Sequence, residues 1–377
     1  MALTDIDAGR LADNVFNVTG ANKNLIINGA MQVAQRGSSG VTTSGYGTVD
    51  RFSSQWSSGS VTQTQETLSS GDPYDEGFRN FLRQTNTTVV SVTDSSERKI
   101  RHYIEAQNVA NSGWNYTNSS SYITLSFWIR SSVAQEFYGY LRSLDGTSQG
   151  YGFSTGSLTA DTWTKVTKTV PGNSNLVFNN DNGAGLEVVV GSFFGTNFTD
   201  SGYTLNSWAA YSNSSRSPDY TTTWATTAGA TFDLTGVQLE VGSVATPFEH
   251  RSYGDELARC QRYYYQAVRG LRNGVSSFDV GNGGYYSNSQ ISCIVRFPQP
   301  MRSMPSLVAV TGTSYYKAFR NNTNEDFSGF LLDSVMGTDD GFVGFSLYQT
   351  GFSATAGQSA LFRVNNNAAR LGFDSEL

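Results

Sequence analysis

From Leu25 to Leu239 the chain repeats one local pattern: a short apolar run rich in β-branched and aromatic residues, then a break of Gly, Asn, Ser or Thr. The runs alternate with period two, so successive side chains fall on opposite faces of a strand. Residues 122–130 (YITLSFWIR) carry the pattern most clearly, with Ile123, Leu125, Phe127 and Ile129 on one face directed at a core. Residues 25–29, closed by an Asn-Gly turn signal, 49–56, 81–84, 100–105, 137–141, 162–170, 186–190 and 232–239 continue the series. Polar breaks such as 173–175 and 212–215 separate them. Many short strands at fairly regular spacing predict an all-β chain, a jelly-roll or β-sandwich.

Composition supports this: aromatic residues make up 13% and charged residues only 15%, against a usual ~25%. Aromatic and β-branched side chains suit a pleated sheet, while few charges remain to build amphipathic helices. At about 100–200 residues per domain, 377 residues predict two domains. The expected order is an N-terminal arm at 1–23, a jelly-roll domain at 24–250, a linking helix at 251–265 and a smaller C-terminal β-sandwich at 266–377. Ser252 caps the helix, Asp255 answers it three residues later, and Tyr253, Leu257, Cys260 and Tyr264 form its apolar face. The C-terminal strands fall at 291–297, ended by Pro298 and Pro300, and at 307–310, 342–347 and 359–364.

Several function classes lose support. Net charge is −6, and the basic stretches at 97–102 and around Arg259 and Arg262 are mixed in sign, so no nucleic-acid stripe is expected. No run of about 18 apolar residues is present to span a membrane, and residues 1–10 lack a signal-peptide pattern. Cys260 and Cys293 have no CxxC spacing; both are expected free and buried, although sequence does not settle whether they pair. His102 and His250 have no ligand at metal spacing, and the nucleophile-elbow, HExxH and phosphate-loop motifs are absent. No cofactor or metal is expected. Asp72, Asp75, Glu76, Glu105, Asp339 and Asp340 are the carboxylates a glycosidase pair would draw on. The stretch 72–77 reads most simply as a turn, with Ca²⁺ binding through its oxygens as the alternative.

Two segments are more specific. Residues 24–37 (NLIINGAMQVAQRG), followed by 49–52 (VDRF), and residues 237–253 (VQLEVGSVATPFEHRSY), continuing to 260–264 (CQRYY), resemble the opening and closing strands of a jelly-roll module of phage tail-fibre and tail-spike-like proteins. That module is similar in fold to the carbohydrate-binding modules of polysaccharide enzymes. Residues 295–305 (VRFPQPMRSMP) resemble the small β domain that follows it. The resemblance implies a virion surface protein, on tail or capsid, that attaches to a host-surface glycan or protein as a homo-oligomer, a trimer. Residues 1–23 read either as an arm that docks on other virion proteins or as a frayed terminus. The alternatives are a capsid decoration protein without a receptor and a carbohydrate-active enzyme. The signature closes the fold and does not name the ligand.

Sugar-ring faces stack on aromatic rings, and amide, carboxylate and guanidinium groups bind their hydroxyls. Candidate binding residues are therefore Trp208, Tyr211, Arg216, Asp219, Tyr220 and Trp224 in one Ser- and Thr-rich stretch, and Trp114 with Tyr116 in another. Tyr285, Tyr286, Tyr315 and Tyr316 flank turns in the C-terminal domain and are expected at a distal tip or a subunit contact. Trp128 and Trp163, in strands, are expected in the core.

Overall fold

A computed structural model describes residues 22–57, 59–88, 91–271, 275–327, 329–338 and 341–377. Most of the expected arm, and Asp339 and Asp340, lie outside these residues. The chain divides into two units, the first ending at Glu256 and the second beginning at Leu257, inside the helix α4 (Tyr253–Gln261).

The first unit contains, in chain order, β1 (Ser53–Trp56), β2 (Val61–Thr67), α1 (Asp72–Asp75), β3 (Asn80–Asn86), β4 (Glu97–Glu105), α2 (Ala106–Ala110), β5 (Tyr122–Ser131), β6 (Glu136–Ser143), β7 (Gln149–Ser157), β8 (Thr164–Pro171), β9 (Ala184–Phe194), β10 (Trp208–Ala210), α3 (Thr223–Thr226) and β11 (Thr231–Val241). They form a six-stranded sheet, ordered β1-β4-β9-β6-β7-β10, and a five-stranded sheet, ordered β2-β3-β11-β5-β8, with antiparallel pairing throughout. This is the expected jelly-roll sandwich. Ile123, Leu125, Phe127, Ile129, Leu82 and Leu234 of one sheet share a single buried cluster with Ile100, Ile104, Leu186, Val188, Phe137 and Phe153 of the other. The core thus lies between the sheets, as alternation on two facing sheets requires.

Alternation of one face did not reveal that β5 is buried on both. Trp128, on its outward side, packs with Phe78 and Phe81, and Trp163 packs half-buried beside them rather than between the sheets. Strand β11 meets this layer at a bulge between Thr235 and Gln238. Gly236 there has φ +64°, and a Cβ on it would stand 2.8 Å from the Phe78 ring, so glycine answers both conformation and space.

Residues 25–29 form no named strand, contrary to expectation. They lie along β11, with Leu25 N–H donating to Leu239 O (2.9 Å) and Val237 N–H to Gly29 O (3.0 Å). The two specific sequence segments form one clasp. Asn24 Oδ1 accepts from Ile26 and Leu239 N–H, Glu240 accepts from Thr246 N–H, and Arg251 donates to Ile26 O and pairs with Glu249. From the arm, Asn22 N–H donates to Glu249 Oε1 (2.6 Å) and Lys23 Nζ to Pro247 O (2.7 Å).

In α4 the capping pair is present: Ser252 Oγ accepts from Asp255 N–H (3.2 Å) and donates to its carboxylate (2.7 Å). The expected apolar face is buried only toward its C-terminal end: Tyr253 is exposed and Leu257 half-buried, whereas Cys260 and Tyr264 are buried. Glu256 and Cys260, one turn apart, are buried, and Glu256 accepts from Asn28 N–H (2.6 Å).

The second unit contains β12 (Tyr264–Arg269), β13 (Phe278–Ser287), β14 (Gln290–Met301), β15 (Ser306–Val310), β16 (Tyr316–Arg320), β17 (Thr323–Phe327), β18 (Leu331–Thr338), β19 (Gly341–Thr350), β20 (Ser359–Val364) and β21 (Arg370–Asp374). A seven-stranded sheet, β17-β16-β20-β13-β14-β19-β18, and a three-stranded sheet, β12-β21-β15, share one core of residues such as Val295, Phe345, Phe362, Leu371 and Phe373. Strand β14 does not end at Pro298; it runs to Met301 through a register shift after Arg296, which spares both prolines a ladder bond. Cys260 and Cys293 form no disulfide with each other and are buried, and burial pushes the Cys293 thiol up to about 12.

His102, on β4, is buried against Phe52 (ring centroids 4.9 Å). Burial above all, with the Arg51 charge second, holds its pKa well below the ordinary value, and a bond to the Arg51 backbone offsets only part. The unfolded chain, with pKa about 6.5, takes up a proton that the fold refuses. Stability is therefore full above pH ~6.5 and falls below it by about 1.4 kcal/mol per pH unit. Urea midpoints of the wild type should drop between pH 7.5 and 5.5, and His102→Gln should flatten that drop; an unchanged slope in the variant would place the acid sensitivity elsewhere.

Candidate functional site

The outer face of the six-stranded sheet carries two adjacent rows of directly opposed residues. One runs Tyr103–Glu187–Arg142–Gly150–Ala209 across β4, β9, β6, β7 and β10. The next runs Arg101–Val189–Tyr140–Gly152. Their neighbours along each strand, including Ile104, Val188, Leu141 and Tyr151, point into the core, so the period of two puts these rows outside.

Glycines in this face make room for rings from the loop after β9. A Cβ on Gly150 would meet the Tyr211 ring at 3.2 Å, one on Gly152 the Tyr203 ring at 2.5 Å, and one on Gly191 the Tyr220 hydroxyl at 2.5 Å. Bare backbone therefore leaves the space that these side chains occupy. Tyr220 donates to Tyr138 O (2.8 Å) and fastens the loop. Tyr211 and Tyr203 stay half-buried and, with Asp200, Thr204 and Ser207, line a cavity of about 220 Å³. Arg142 lies over the Tyr211 ring, 3.9 Å from its centroid.

Beside that cavity Glu187 is almost fully buried between two guanidinium groups, at 3.7 Å from Arg101 and 3.9 Å from Arg142. Its Oε2 and Arg142 Nε have no hydrogen-bond partner. The Tyr103 hydroxyl faces Glu187, and its pKa is pushed up to about 12, first by burial and then by the Glu187 charge. Arg101 also donates to the Gln55 carboxamide oxygen (2.6 Å) in the amide orientation that satisfies both groups.

The structure divides the sequence-derived candidates. Tyr211 lies at the cavity. Arg216 is buried, pairs with Glu97 (2.6 Å) and packs on Phe198, so it anchors the loop to β4 rather than meeting solvent. Asp219 accepts from Thr199 Oγ1. Trp224 is fully buried in the core, and Trp114 nearly so, with Tyr116 half-buried against Phe178. Trp208 is half-buried, donates to Pro171 O (2.7 Å) and packs on Tyr151, closing an edge of the core. These tryptophans sit in polar sequence because single anchor residues in loops need no alternation. In the second unit Tyr285 and Tyr316 point inward, with hydroxyls on Glu325 (2.7 Å) and Arg370 O (2.6 Å), while Tyr286 is exposed and Tyr315 half-buried. Adjacent strand residues face opposite ways, so such pairs do not make a four-tyrosine tip.

Sequence reasoning missed Tyr203, Arg101, Tyr103, Arg142 and Glu187. The glycine alternation of 150 and 152 was the available signal.

A second groove, about 480 Å³, is lined by Glu76, Lys165, Phe248 and His250. Its charges are committed: Lys165 pairs with Glu76 (2.9 Å), Trp128 Nε1 donates to Glu76 (3.0 Å) and His250 contacts Glu76 O (2.9 Å). Asp72 and Asp75 sit in α1, and Glu105 is buried. Among the described residues no three His, Cys, Asp or Glu side chains converge as metal ligands, and no helix is long and apolar enough to cross a membrane.

No protein-family model matches the chain, and no curated protein sequence matches it. Among solved structures it is similar to the enzymatically active domain of tailspike protein 4 of bacteriophage CBA120, at 11% identity and TM-score 0.32 over 58% of this chain and 22% of that one. The chain thus spans about a fifth of that domain's length. It is also similar to the CBM22-1 xylan-binding domain of Paenibacillus barcinonensis, at 11% identity and TM-score 0.28 over 60% of this chain and 100% of that one. A third is the family 11 carbohydrate-binding module of Clostridium thermocellum, at 12% identity and TM-score 0.24 over 52% and 91%. The two-sheet topology, rather than these likenesses, defines the fold class.

Proposed function

We propose that the chain is a phage virion surface protein whose first unit binds a host-surface glycan on the outer face of its six-stranded sheet, acting by contact and not by catalysis. The observation that carries this reading is the cavity under Tyr203 and Tyr211, set on bare glycine backbone and continuous with the Tyr103–Glu187–Arg142 row. Half-buried rings offer apolar faces to a sugar, and polar groups beside them offer hydroxyl partners. The sequence resemblance to tail-fibre modules supports the virion setting. Several identical copies would turn a weak single site into useful avidity.

Of the two carboxylates at this face, Asp200 lines the cavity and Glu187 is almost fully buried between arginines, whereas a glycosidase needs two that flank the bond. Incubation with host polysaccharide should accordingly release no oligosaccharide. Purified chain should bind host cells, and Tyr211→Ala should bind about tenfold more weakly, equivalent to ~1.4 kcal/mol, with an unchanged melting profile. Full binding by Tyr211→Ala would remove this face from the reading. A monomer by light scattering would remove the avidity.

A further inference from the structure

We infer that the glycan held on this face is acidic, with its carboxylate at Arg142; this rests on the glycan-binding reading above. The argument is a comparison within the molecule. Each sheet's outer face holds one buried carboxylate between two arginines. On the five-stranded sheet Asp233 is bound at 2.7 Å by Arg83 Nε and at 2.8 Å by Arg130 Nη2, with further bonds of 2.9 Å from each. On the six-stranded sheet the corresponding distances at Glu187 are 3.7 and 3.9 Å. Exposure does not explain the difference: Asp233 and Glu187 side chains are 0% and 2% exposed, and the four arginines 21–28%. The first cluster is closed, whereas the second leaves its groups unspent.

One unmet need remains there, and it specifies the ligand. Arg142 lies over Tyr211 and meets Glu187 only at 3.9 Å while its side chain stays 28% exposed, so its guanidinium can take a further acceptor from outside. Two guanidinium groups against one carboxylate also leave one positive charge, in a chain whose net charge is −6. A carboxylate is the acceptor such a fork fits best. A sugar carrying a carboxylate, of the uronic or sialic acid class, answers it. Asp200 lines the neighbouring cavity, so the acid group belongs over Arg142 and a neutral ring in the cavity.

The test is a glycan array carrying acidic glycans, their carboxyl-reduced counterparts and neutral glycans, probed with the full chain. The expected result is binding at least roughly tenfold stronger to acidic forms than to their reduced partners, weakened as salt rises from 0.05 to 0.5 M. Arg142→Gln should lose that preference, and Arg142→Lys should keep part of it, both with wild-type melting. Equal binding of acidic and reduced forms overturns the inference and leaves glycan binding standing. Binding to no glycan overturns both, and an unaltered preference in Arg142→Gln overturns the assignment to Arg142.

Discussion

Replacing Trp224 by alanine destabilises the first unit by about 3–5 kcal/mol. The ring is fully buried and meets Phe137 and Phe232 edge-on, at centroid distances of 6.5 and 5.8 Å. Its Nε1 donates to Thr231 O (2.9 Å), and Arg98 lies 5.9 Å over it. Alanine would leave a large cavity, remove one of the two donors to Thr231 O and leave a buried guanidinium without its ring. Burial already lowers the Arg98 pKa, so that arginine has little to spare. All six tryptophans precede residue 256, so intrinsic tryptophan fluorescence during urea unfolding reads this unit alone. A loss below about 1 kcal/mol would mean that the ring behaves as a surface residue and would reopen Trp224 as a binding residue.

The second large effect separates the two arginine–carboxylate clusters. Asp233→Asn should cost about 2–3 kcal/mol. Breaking a buried ion pair costs ~3–5 kcal/mol, and the partial exposure of Arg83 and Arg130 lowers that through solvent screening. The Arg83 pKa is raised, first of all by its hydrogen bond to Asp233. Glu187→Gln should change stability by less than about 1 kcal/mol, because the longer contacts of Arg101 and Arg142 stabilise little and both heads reach water. The same urea experiment measures both. Equal losses in the two variants would make Glu187 a structural staple like Asp233 and would weaken the assignment of its face to a ligand.

Much of the fold was legible because it is local. The strands β5, β4, β6, β9 and β11 follow from period-two runs, and the clasp residues stand out as two specific segments at the ends of one domain. The sequence also marked Ser252 and Asp255 as a cap. Where local signals misled, a long-range partner decided: residues 25–29 follow β11 without forming a named strand, and Tyr253 stays exposed while Glu256 turns inward to Asn28.

The candidate site was legible only in part. Tyr211 was visible as an aromatic in a polar loop, but so was Trp224, and nothing nearby in sequence distinguishes the ring that fills the core from the ring that lines a cavity. By itself the sequence determined that this chain makes paired sheets, where the first domain closes and which residues alternate. The tertiary structure decided which face of each sheet is covered, because that depends on pairings such as Gly150 with Tyr211 and Glu187 with Tyr103 and Arg142, groups some 45 to 85 positions apart. Alternation assigns a residue to one side of a strand; only the packing of the second sheet and of the returning loop determines whether that side meets protein or water.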